Sequence, residues 1–529
     1  MLARMPGMVA SSQRAATEAG CAILAGGGNA ADAAIAVAAA LAVTEPNSTG
    51  LGGDAFALYY EGHTGRITSL NGSGRAPAGL TLGRLERAGV REAILPFSGD
   101  AITVPGACAA WIDLAERHGS MAMDGVLAPA IELAQDGFEV GAVTAHFWAR
   151  GLDGLLRAPG GAEMTIDGRA PIAGERFRNP GLAGVLASIA EGGKGAFYGG
   201  AIARDIVDAA RAAGSAMTLA DLERHHSTWH EPIGAEYRGH RIWECPPNGQ
   251  GMAALLALQI LRGFEIADTD PMGTERLHLI TEALRLAFAD ARRHVADPAV
   301  YAPPTGALLS ESYASARRAQ IDPARRIPVA AGEPPERAGT VQFCVVDASG
   351  NACSFVNSNY MGFGTCAVPP GRGFTLQNRG CNFSLEPGHP NVVAPHKRPY
   401  HTIIPGLITR ADGSLYGPFG VMGGFMQPQG HVQVVLAMLD DGLEPQAALD
   451  RPRLCIEPGA DGDHGELLCE EGIPEPAARG LERLGHPVRS GVGGFERAVF
   501  GRGQIIRRDE SGDLLGGSDF RADGCAAGV

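Results

Sequence analysis

The sequence has few charged residues and lacks any run of basic ones. Only 19% of its 529 residues are charged, and the formal net charge is −14. An acidic chain without a basic patch is not expected to bind nucleic acid or an anionic membrane surface. With 75 glycines and so little charge, the composition instead suits a tightly packed enzyme rather than a disordered chain.

The ten cysteines do not form a metal or redox motif. None is spaced as C-x-x-C, so zinc ribbons and thioredoxin-type sites are unsupported. Residues 1–8 contain no apolar signal core, and the alanine-rich helix expected to end near Val43 is too short to span a bilayer. We therefore expect a cytoplasmic protein with reduced thiols and no membrane partner.

Two local patterns suggest ligands only weakly. The glycine-rich loop of residues 44–54 contains neither a dinucleotide fingerprint nor a Walker lysine, so we interpret it as scaffold. His226 and His230 are four residues apart, which makes a metal site conceivable. No set of carboxylates and cysteines accompanies these histidines, so a surface loop is the favoured interpretation. We expect neither a metal nor an organic cofactor.

A predicted β-hairpin at residues 338–364 is the most informative stretch. Two β-type runs flank an Asp-x-x-Gly-Asn turn at residues 347–351. The first run opens with Gly339 and Thr340. A small residue followed by a hydroxyl residue at the start of a strand is what self-cleavage requires if it is to expose a new N-terminal threonine.

Such a cleavage would activate the threonine. A threonine hydroxyl needs a base within hydrogen-bond reach, and the α-amino group of an N-terminal Thr340, with a reference pKa of about 7.7–8.0, could serve. Gly339 has no Cβ and tolerates the strained backbone of an acyl shift. The ordinary alternative is that Thr340 is simply a β-branched residue that begins a strand.

The region resembles the processing segment of the gamma-glutamyltranspeptidase family, which are N-terminal-nucleophile hydrolases that cleave themselves before a threonine. The family pattern of a strand-opening Thr, Val-Val-Asp, Gly-Asn and Phe-Gly is matched by Thr340 and by residues 345–347, 350–351 and 363–364. The family's second hydroxyl residue, which hydrogen-bonds the nucleophile, falls at Ser358. The residues from Gly27 to Gly53 also resemble the family, which supports their interpretation as scaffold for the nucleophile strand.

The resemblance implies a fold and a division of the chain. The expected fold is a four-layer αββα sandwich. Self-cleavage would give a large subunit of residues 1–339 and a small one of residues 340–529. The two would form a heterodimer and one intertwined domain, and further dimerisation is left open. Residues 302–337 are expected to be an exposed segment whose end swings clear after cleavage.

The resemblance also implies an oxyanion-binding turn. The family's Gly-Gly oxyanion pair matches Gly423 and Gly424, before a helix expected at residues 432–439. A glycine-rich turn that opens a helix offers backbone N–H groups toward an oxyanion. An ordinary strand-to-helix turn remains the alternative.

The family's substrate-binding residues are changed in this chain. The arginine that holds the glutamyl carboxylate corresponds to Ser73, with Arg75 displaced by two positions, and the acid that holds the α-amino group corresponds to Cys381. Arg75, Arg379 and Arg398 could still bind a carboxylate, although each alone is more often a surface or structural residue. The family's Ser-Ser pair corresponds to His401 and Thr402. The residues expected to bind substrate are therefore Arg75, Asn378, Arg379, His401 and Thr402.

The leading hypothesis is a self-processing gamma-glutamyltranspeptidase-like amidohydrolase that cleaves a small-molecule amide, gamma-glutamyl or related, through an acyl-threonine intermediate. Because a lost carboxylate is a lost partner for an ammonium group, the pattern looks more like the divergent branch that includes oxamate amidohydrolase. Oxamate amidohydrolase, acting on a small amide-carboxylate, is therefore the first alternative. The second is an uncleaved family member without catalytic activity.

Overall fold

The structure is a computed structural model that describes residues 7–329, 339–458 and 464–529. Its strands are β1 (Met8–Ser11), β2 (Asp54–Tyr60), β3 (Ile67–Gly72), β4 (Phe138–Glu139), β5 (Arg176–Phe177), β6 (Thr228–His230), β7 (Ile233–Tyr237), β8 (His240–Glu244), β9 (Gly339–Val346), β10 (Ala352–Tyr360), β11 (Gly406–Arg410), β12 (Leu415–Met422), β13 (Leu454–Pro458), β14 (His464–Glu470), β15 (Val488–Val492), β16 (Arg502–Arg508), β17 (Leu514–Ser518) and β18 (Cys525–Gly528).

Sixteen α-helices lie between the first and last of these strands in the described part of the chain. They are α1 (Arg14–Ala25), α2 (Ala30–Thr44), α3 (Leu82–Arg87), α4 (Ala107–His118), α5 (Met123–Asp136), α6 (Ala142–Arg157), α7 (Pro180–Tyr198), α8 (Gly200–Ala212), α9 (Leu219–Glu223), α10 (Gly251–Leu261), α11 (Thr274–His294), α12 (Thr305–Leu308), α13 (Glu311–Arg318), α14 (Met426–Leu439), α15 (Pro445–Asp450) and α16 (Glu475–Arg483).

Two large antiparallel sheets form the centre of the molecule. The first has seven strands in the order β18-β1-β9-β10-β2-β3-β6, and the second has six in the order β17-β16-β12-β11-β8-β7. Both sheets combine strands from before and after Gly339. The chain segments on either side of the predicted cleavage point are therefore interleaved within the same sheets.

Three apolar cores separate four layers. On one face of the seven-stranded sheet, Val341 and Phe355 pack with helices that include α2, α4 and α5. On its other face, Val356 packs against Leu407 of the six-stranded sheet. Phe419, on the outer face of that second sheet, packs with α10, α11 and α14. This succession of helices, sheet, sheet and helices confirms the αββα sandwich.

Helix α2 is the buried core helix that the sequence predicts. All fifteen of its residues are buried. Its first turn is closed by a capping box, in which the side chain of Asn29 accepts backbone N–H bonds and the side chain of Asp32 accepts one in return. Among the described residues, no helix combines the length and the apolar character that crossing a membrane requires.

The helix after the glycine-rich turn begins earlier than expected. Helix α14 starts at Met426, directly after the turn, rather than at Val432. The sequence prediction placed this start six residues too late, and Pro428 lies within the first turn of the observed helix. A proline in the first helical turn is tolerated, because the N–H that it lacks has no partner within the helix. The predicted exposed segment at 302–337 is described to residue 329 and contains α12 and α13; residues 330–337 lie outside the described residues.

Candidate active site

A β-bulge lies opposite Thr340. Strands β9 and β10 are the two strands of the predicted hairpin and pair antiparallel, with Val341 opposite Asn357 and Gly339 opposite Tyr360. Two residues of β10, Ser358 and Asn359, therefore lie opposite the single residue Thr340 of β9. Bulges of this kind bend a strand and redirect its side chains, and they are common beside active sites.

The bulge brings two hydroxyl groups together. The Oγ1 of Thr340 lies 3.1 Å from the Oγ of Ser358. The backbone N–H of Tyr360 donates to the same Ser358 oxygen at 2.8 Å, and Tyr360 has a positive φ of 79°. A bulky residue in that conformation is strained, so the surrounding packing must hold it. The bulge thus fixes the position of the Ser358 hydroxyl relative to the predicted nucleophile.

Thr340 faces the space between the two sheets. Alternate residues of β9, Val341 and Phe343, point toward the helices, while Cys344 and Val346 point toward the second sheet. Thr340 belongs to the second set and is fully buried. A Cβ at Gly420 of β12 would lie 2.7 Å from the side chain of Gln342, so the two sheets are in close contact beside Thr340.

Arg379 is a buried cation in contact with this hydroxyl pair. Its Nη2 donates to Ser358 Oγ at 3.2 Å, its Nη1 donates to Thr402 Oγ1 at 2.6 Å, and its guanidinium lies 4.1 Å from the ring centroid of Tyr360. Burial lowers the pKa of Arg379 to about 10, which still leaves it charged at neutral pH. Arg379 makes no ion pair within the described part of the chain, although the charge of Asp54 partly offsets the effect of burial on its pKa, and its Nε has no hydrogen-bond partner there. A buried charge without an ion-pair partner is costly, which favours an anionic ligand.

Asp54 and His401 form a buried pair next to Arg379. The Nε2 of His401 lies 3.0 Å from Asp54 Oδ2, and Asp54 stands opposite Ser358 in the β2–β10 ladder. Burial raises the pKa of Asp54 to about 6, and burial together with Arg379 and Arg398 holds the pKa of His401 well below its usual value. At neutral pH a neutral His401 therefore donates to an ionised Asp54. The other ring nitrogen of His401 accepts the N–H of Ile403, so both ring nitrogens are bonded within the protein. His401 therefore has a structural role at the site.

Gln250 joins Thr402 to the glycine turn. Its Nε2 donates to the carbonyl oxygens of Thr402 at 2.7 Å and of Gly424 at 2.9 Å. Gly423 and Gly424 both have positive φ values, 134° and 62°, which favour glycine. A chain of hydrogen bonds therefore runs from Gly424 through Gln250, the Thr402 residue, Arg379 and Ser358 to the hydroxyl of Thr340.

Sequence reasoning missed Gln250 and gave Asp54 only a scaffold role. Gln250 appears in the sequence as one polar residue within a predicted turn at positions 245–251. Asp54 closes a glycine-rich loop, and nothing in its sequence neighbourhood distinguishes it from a turn residue. Neither residue had a usable signal, because their partners Gly424 and His401 lie more than 150 positions away.

The structure places the other predicted binding residues outside this chain of contacts. The Arg75 guanidinium donates to the carbonyl oxygen of His226, and none of its hydrogen bonds reaches Thr340 or Arg379. Asn378 uses both ends of its amide on the loop after β10, donating to Gly364 and accepting from Met361. Arg398, whose pKa burial lowers to about 9, is held by the carbonyl oxygen of Ser73 and by other neighbours.

The two histidines weighed as metal ligands do not converge. His226 is exposed and contacts Arg75, while His230 contacts Thr228 on β6. In the described ranges, the one group of potential ligands is His278, Glu282 and His486. His278 and His486 hydrogen-bond each other at 2.8 Å, and Glu282 accepts from Arg285 at 2.7 Å. Protein partners therefore already use these ligand atoms.

The αββα fold, with a threonine at the start of a central strand beside a serine of the neighbouring strand, is that of an N-terminal-nucleophile hydrolase. The model of the family described as gamma-glutamyltranspeptidase matches residues 16–529, and the chain belongs to this family. Members of the family are amidohydrolases of the hydrolase and transferase type, made as proenzymes. This chain is accordingly a self-processing amidohydrolase.

Three similar proteins span nearly the whole chain. A glutathione hydrolase-like proenzyme of Bacillus subtilis is 36% identical over 525 residues, which cover 99% of this chain and 98% of the relative. The oxamate amidohydrolase proenzyme of Klebsiella pneumoniae is 36% identical over 534 residues, with the same coverage of 99% and 98%. The crystal structure of a cephalosporin acylase from Bacillus halodurans is 43% identical with a TM-score of 0.91, covering 99% of this chain and 96% of that one.

Proposed function

We propose that the chain cleaves itself between Gly339 and Thr340. The Thr340 hydroxyl attacks the carbonyl carbon of Gly339, the peptide C–N bond breaks, and an ester joins Gly339 to the Thr340 side chain. Water then hydrolyses the ester, which leaves a carboxylate on Gly339 and a free amino group on Thr340. The contact between Thr340 and Ser358 supports this assignment, as does the absence of a Cβ on Gly339.

In the mature enzyme, the freed α-amino group of Thr340 takes the proton of its own hydroxyl. The hydroxyl attacks the substrate amide, and backbone N–H groups of the Gly423–Gly424 turn stabilise the negative oxygen of the tetrahedral intermediate. The amine leaves with the proton and an acyl-threonine ester remains. Water, or an amine in a transfer reaction, resolves that ester, and no metal or organic cofactor takes part.

The substrate that this geometry supports best is a short amide-carboxylate of the oxamate type. Arg379 carries the argument, because it is a buried cation that touches Ser358, the direct neighbour of Thr340. A carboxylate bound there must lie close to the scissile carbonyl. A γ-glutamyl group would also need an anion for its α-amino group, and the position of that acid is taken by Cys381. The relative named oxamate amidohydrolase agrees with this choice.

Three substrates test the proposal on the purified, processed protein. Oxamate should release ammonia, oxamide should react far more slowly because it lacks the carboxylate, and γ-glutamyl-4-nitroanilide should release little chromophore. Equal rates on oxamate and oxamide would contradict the role of Arg379. A preference for the anilide would indicate that the substrates are gamma-glutamyl amides. A chain that stays uncut and inactive would be a non-catalytic family member.

Two further properties belong to the same proposal. We place the enzyme in the cytoplasm, because no disulfide joins any of its ten cysteines in the described structure, as expected in a reducing compartment. The mature molecule is a heterodimer of residues 1–339 and 340–529. Light scattering on the purified protein distinguishes a single heterodimer from a pair of them, and labelling with a thiol reagent after unfolding counts the reduced cysteines.

A further inference from the structure

A cavity of about 840 Å³ adjoins the glycine turn. Gly423 and Met426, at the turn and the start of α14, form part of one wall, and Met361 and Gly362, directly after β10, form part of another. The cavity is therefore continuous with the two elements that carry the predicted oxyanion turn and Ser358. Arg379 does not line it, so the carboxylate position proposed at Arg379 lies outside this cavity.

The size of the cavity does not match a substrate as small as oxamate. Cavities of about 300–1,000 Å³ are typical of sites for drug-sized molecules. Oxamate consists of one carboxylate and one primary amide, so Arg379 and the Thr340 hydroxyl would already engage most of its atoms. If ammonia were the natural leaving group, nearly all of this volume would serve no part of the reaction.

The walls of the cavity favour an aromatic occupant. Four phenyl rings line it, those of Phe97, Phe147, Phe425 and Phe495. Phe97 is 65% exposed and Phe495 is 47% exposed, although they come from distant parts of the chain. Large apolar side chains exposed at one cavity are typical of a binding site, because a ligand ring that covers them removes their surface from water and stacks against them.

The charges on the cavity walls favour a neutral occupant. Three arginines line the cavity and so do three acids: Arg150, Arg157, Arg502, Asp153, Glu457 and Glu496. Arg502 is already paired with Glu45 at 2.9 Å. A buried acceptor is also available, since the Oδ1 of Asn47 has no hydrogen-bond partner in the described part of the chain. Asn47 lines the cavity and donates through its other amide atom to Ser48, so Oδ1 can accept one hydrogen bond from a bound group.

We infer that this cavity binds the substituent on the amide nitrogen, the part of the substrate that leaves as the amine, and that this substituent is bulky, uncharged and aromatic. The inference rests on the proposed acylation of Thr340. The acyl half of the substrate is short and carries its carboxylate to Arg379, whereas the amine half fills the cavity on the other side of the scissile bond. The substrate class is then an N-arylalkyl amide of a short dicarboxylic acid, cleaved to the free amine and the dicarboxylate.

Two oxamates with leaving amines of similar basicity test this inference, N-methyl oxamate and N-(2-phenylethyl) oxamate. We expect the phenylethyl compound to have at least about tenfold higher kcat/KM, which corresponds to about 1.4 kcal/mol of binding in the transition state. Similar amine basicity is needed because a better leaving group alone would raise the rate. The assay uses the processed protein and follows release of either amine.

A matched pair of variants locates the effect. A Cβ on Gly362 meets none of the described residues within 4 Å, so Gly362→Phe can place a ring in the cavity without a clash at the described backbone. It should lower the ratio of phenylethyl to methyl kcat/KM at least about tenfold. Gly184→Phe, on α7 and outside the cavity lining, has equally open surroundings and should keep the wild-type ratio.

The outcomes separate this inference from the proposed function. Three outcomes would each overturn the inference: equal kcat/KM values for the two amides, an unchanged ratio in Gly362→Phe, or inhibition by the aromatic amide without its cleavage. In each case the proposed function would still be supported if oxamate were hydrolysed. If no amide were cleaved, oxamate included, both the proposed function and this inference would be disproved.

Discussion

Arg379 donates a hydrogen bond to the Oγ of Ser358 at 3.2 Å, and that oxygen lies 3.1 Å from the Oγ1 of Thr340. The guanidinium is therefore two hydrogen bonds from the predicted nucleophile. Its position limits the length of the acyl group, because a carboxylate held by Arg379 cannot be far from the carbonyl that Thr340 attacks. A buried guanidinium also needs an anion more than a solvated one does.

Replacing Arg379 should remove the preference for a carboxylate. In Arg379→Met the positive charge that would pair with a carboxylate is lost, together with the donors to Thr402 and Ser358. We expect kcat/KM for oxamate to fall by roughly 10²-fold, and the oxamate-to-oxamide ratio to approach one. A purely structural role for Arg379 would instead lower both substrates in proportion, and it would also slow self-cleavage. Initial rates on the two substrates decide between these outcomes.

Replacing Thr340 should abolish self-cleavage. Thr340→Ala lacks the hydroxyl that attacks Gly339, so intact-mass measurement should find one uncut chain of 529 residues that persists on incubation. Thr340→Ser keeps a hydroxyl and should still be cut. N-terminal sequencing of the small fragment must begin at position 340. Two fragments from the alanine variant would disprove the assignment of the nucleophile.

Ser358 should matter through its hydroxyl rather than its size. In Ser358→Ala, Arg379 and the N–H of Tyr360 lose an acceptor, and the hydroxyl of Thr340 loses a neighbour that holds it in place. We expect kcat on oxamate to fall by about 10- to 100-fold, with a smaller change in KM. Ser358→Thr retains the hydroxyl and should recover most of the rate. Steady-state kinetics on both variants test this, and an alanine variant as fast as the threonine variant would argue against the role.

The hairpin could be predicted from the sequence, but the bulge within it could not. The alternating apolar residues of both strands and the turn at residues 347–351 fix the pairing. Whether Ser358 meets Thr340 depends on one extra residue in β10, and the residue pattern alone does not reveal that insertion. The resemblance to a known family placed Ser358 beside Thr340, whereas the bulge gives the physical reason.

The three candidate arginines look alike in the sequence and differ entirely in the structure. Arg379 contacts Ser358, Arg398 is held by the carbonyl oxygen of Ser73, and Arg75 lies beside His226. Their burial and partners are set by segments far away in the chain, so local composition could not rank them. For the same reason, the predicted role of Arg75 stays a prediction.

Gln250 should act on the oxyanion turn. Its amide donates to the carbonyl oxygens of Gly424 and the Thr402 residue, which joins the turn to the element that contacts Arg379. In Gln250→Leu these carbonyl groups lose their donor and the turn loses its fixed position, so kcat should fall by roughly 10²-fold with little change in KM.

Gln250→Glu is the matched variant, because it keeps the shape but replaces the donor by a carboxylate oxygen that would repel both carbonyl groups. It should be at least as slow as the leucine variant. Circular dichroism and the extent of self-cleavage show whether either variant is folded. A wild-type kcat in Gln250→Leu would remove Gln250 from the support of the turn.

Buried neutral histidines should make the fold less stable in mild acid. Burial is the main cause that lowers the pKa of His118 to about 4 and that of His486 to about 3, both well below the value of about 6.5 in an unfolded chain. As the pH falls below about 6.5, the unfolded chain takes up protons at these positions and the folded chain does not, so stability is lost. Asp54 has the opposite effect on stability at pH values between its pKa in the unfolded chain and its pKa of about 6 in the folded chain. In that range the folded state binds a proton at Asp54 and the unfolded state does not.

His118 and His486 outweigh the carboxyl group of Asp54, and the lowered pKa of His401 acts in the same direction, so we expect the free energy of unfolding to decrease by at least about 2–3 kcal/mol between pH 7 and pH 5. Urea unfolding of the uncut Thr340→Ala chain measures this, since its unfolded state is one molecule. His486→Gln cannot be protonated, so it should reduce that decrease by roughly 2 kcal/mol, whatever its own stability at pH 7. A free energy of unfolding that is the same at pH 5 and pH 7 would mean that the folded chain takes up as many protons as the unfolded chain over this range, so that folding does not lower the pKa of these histidines.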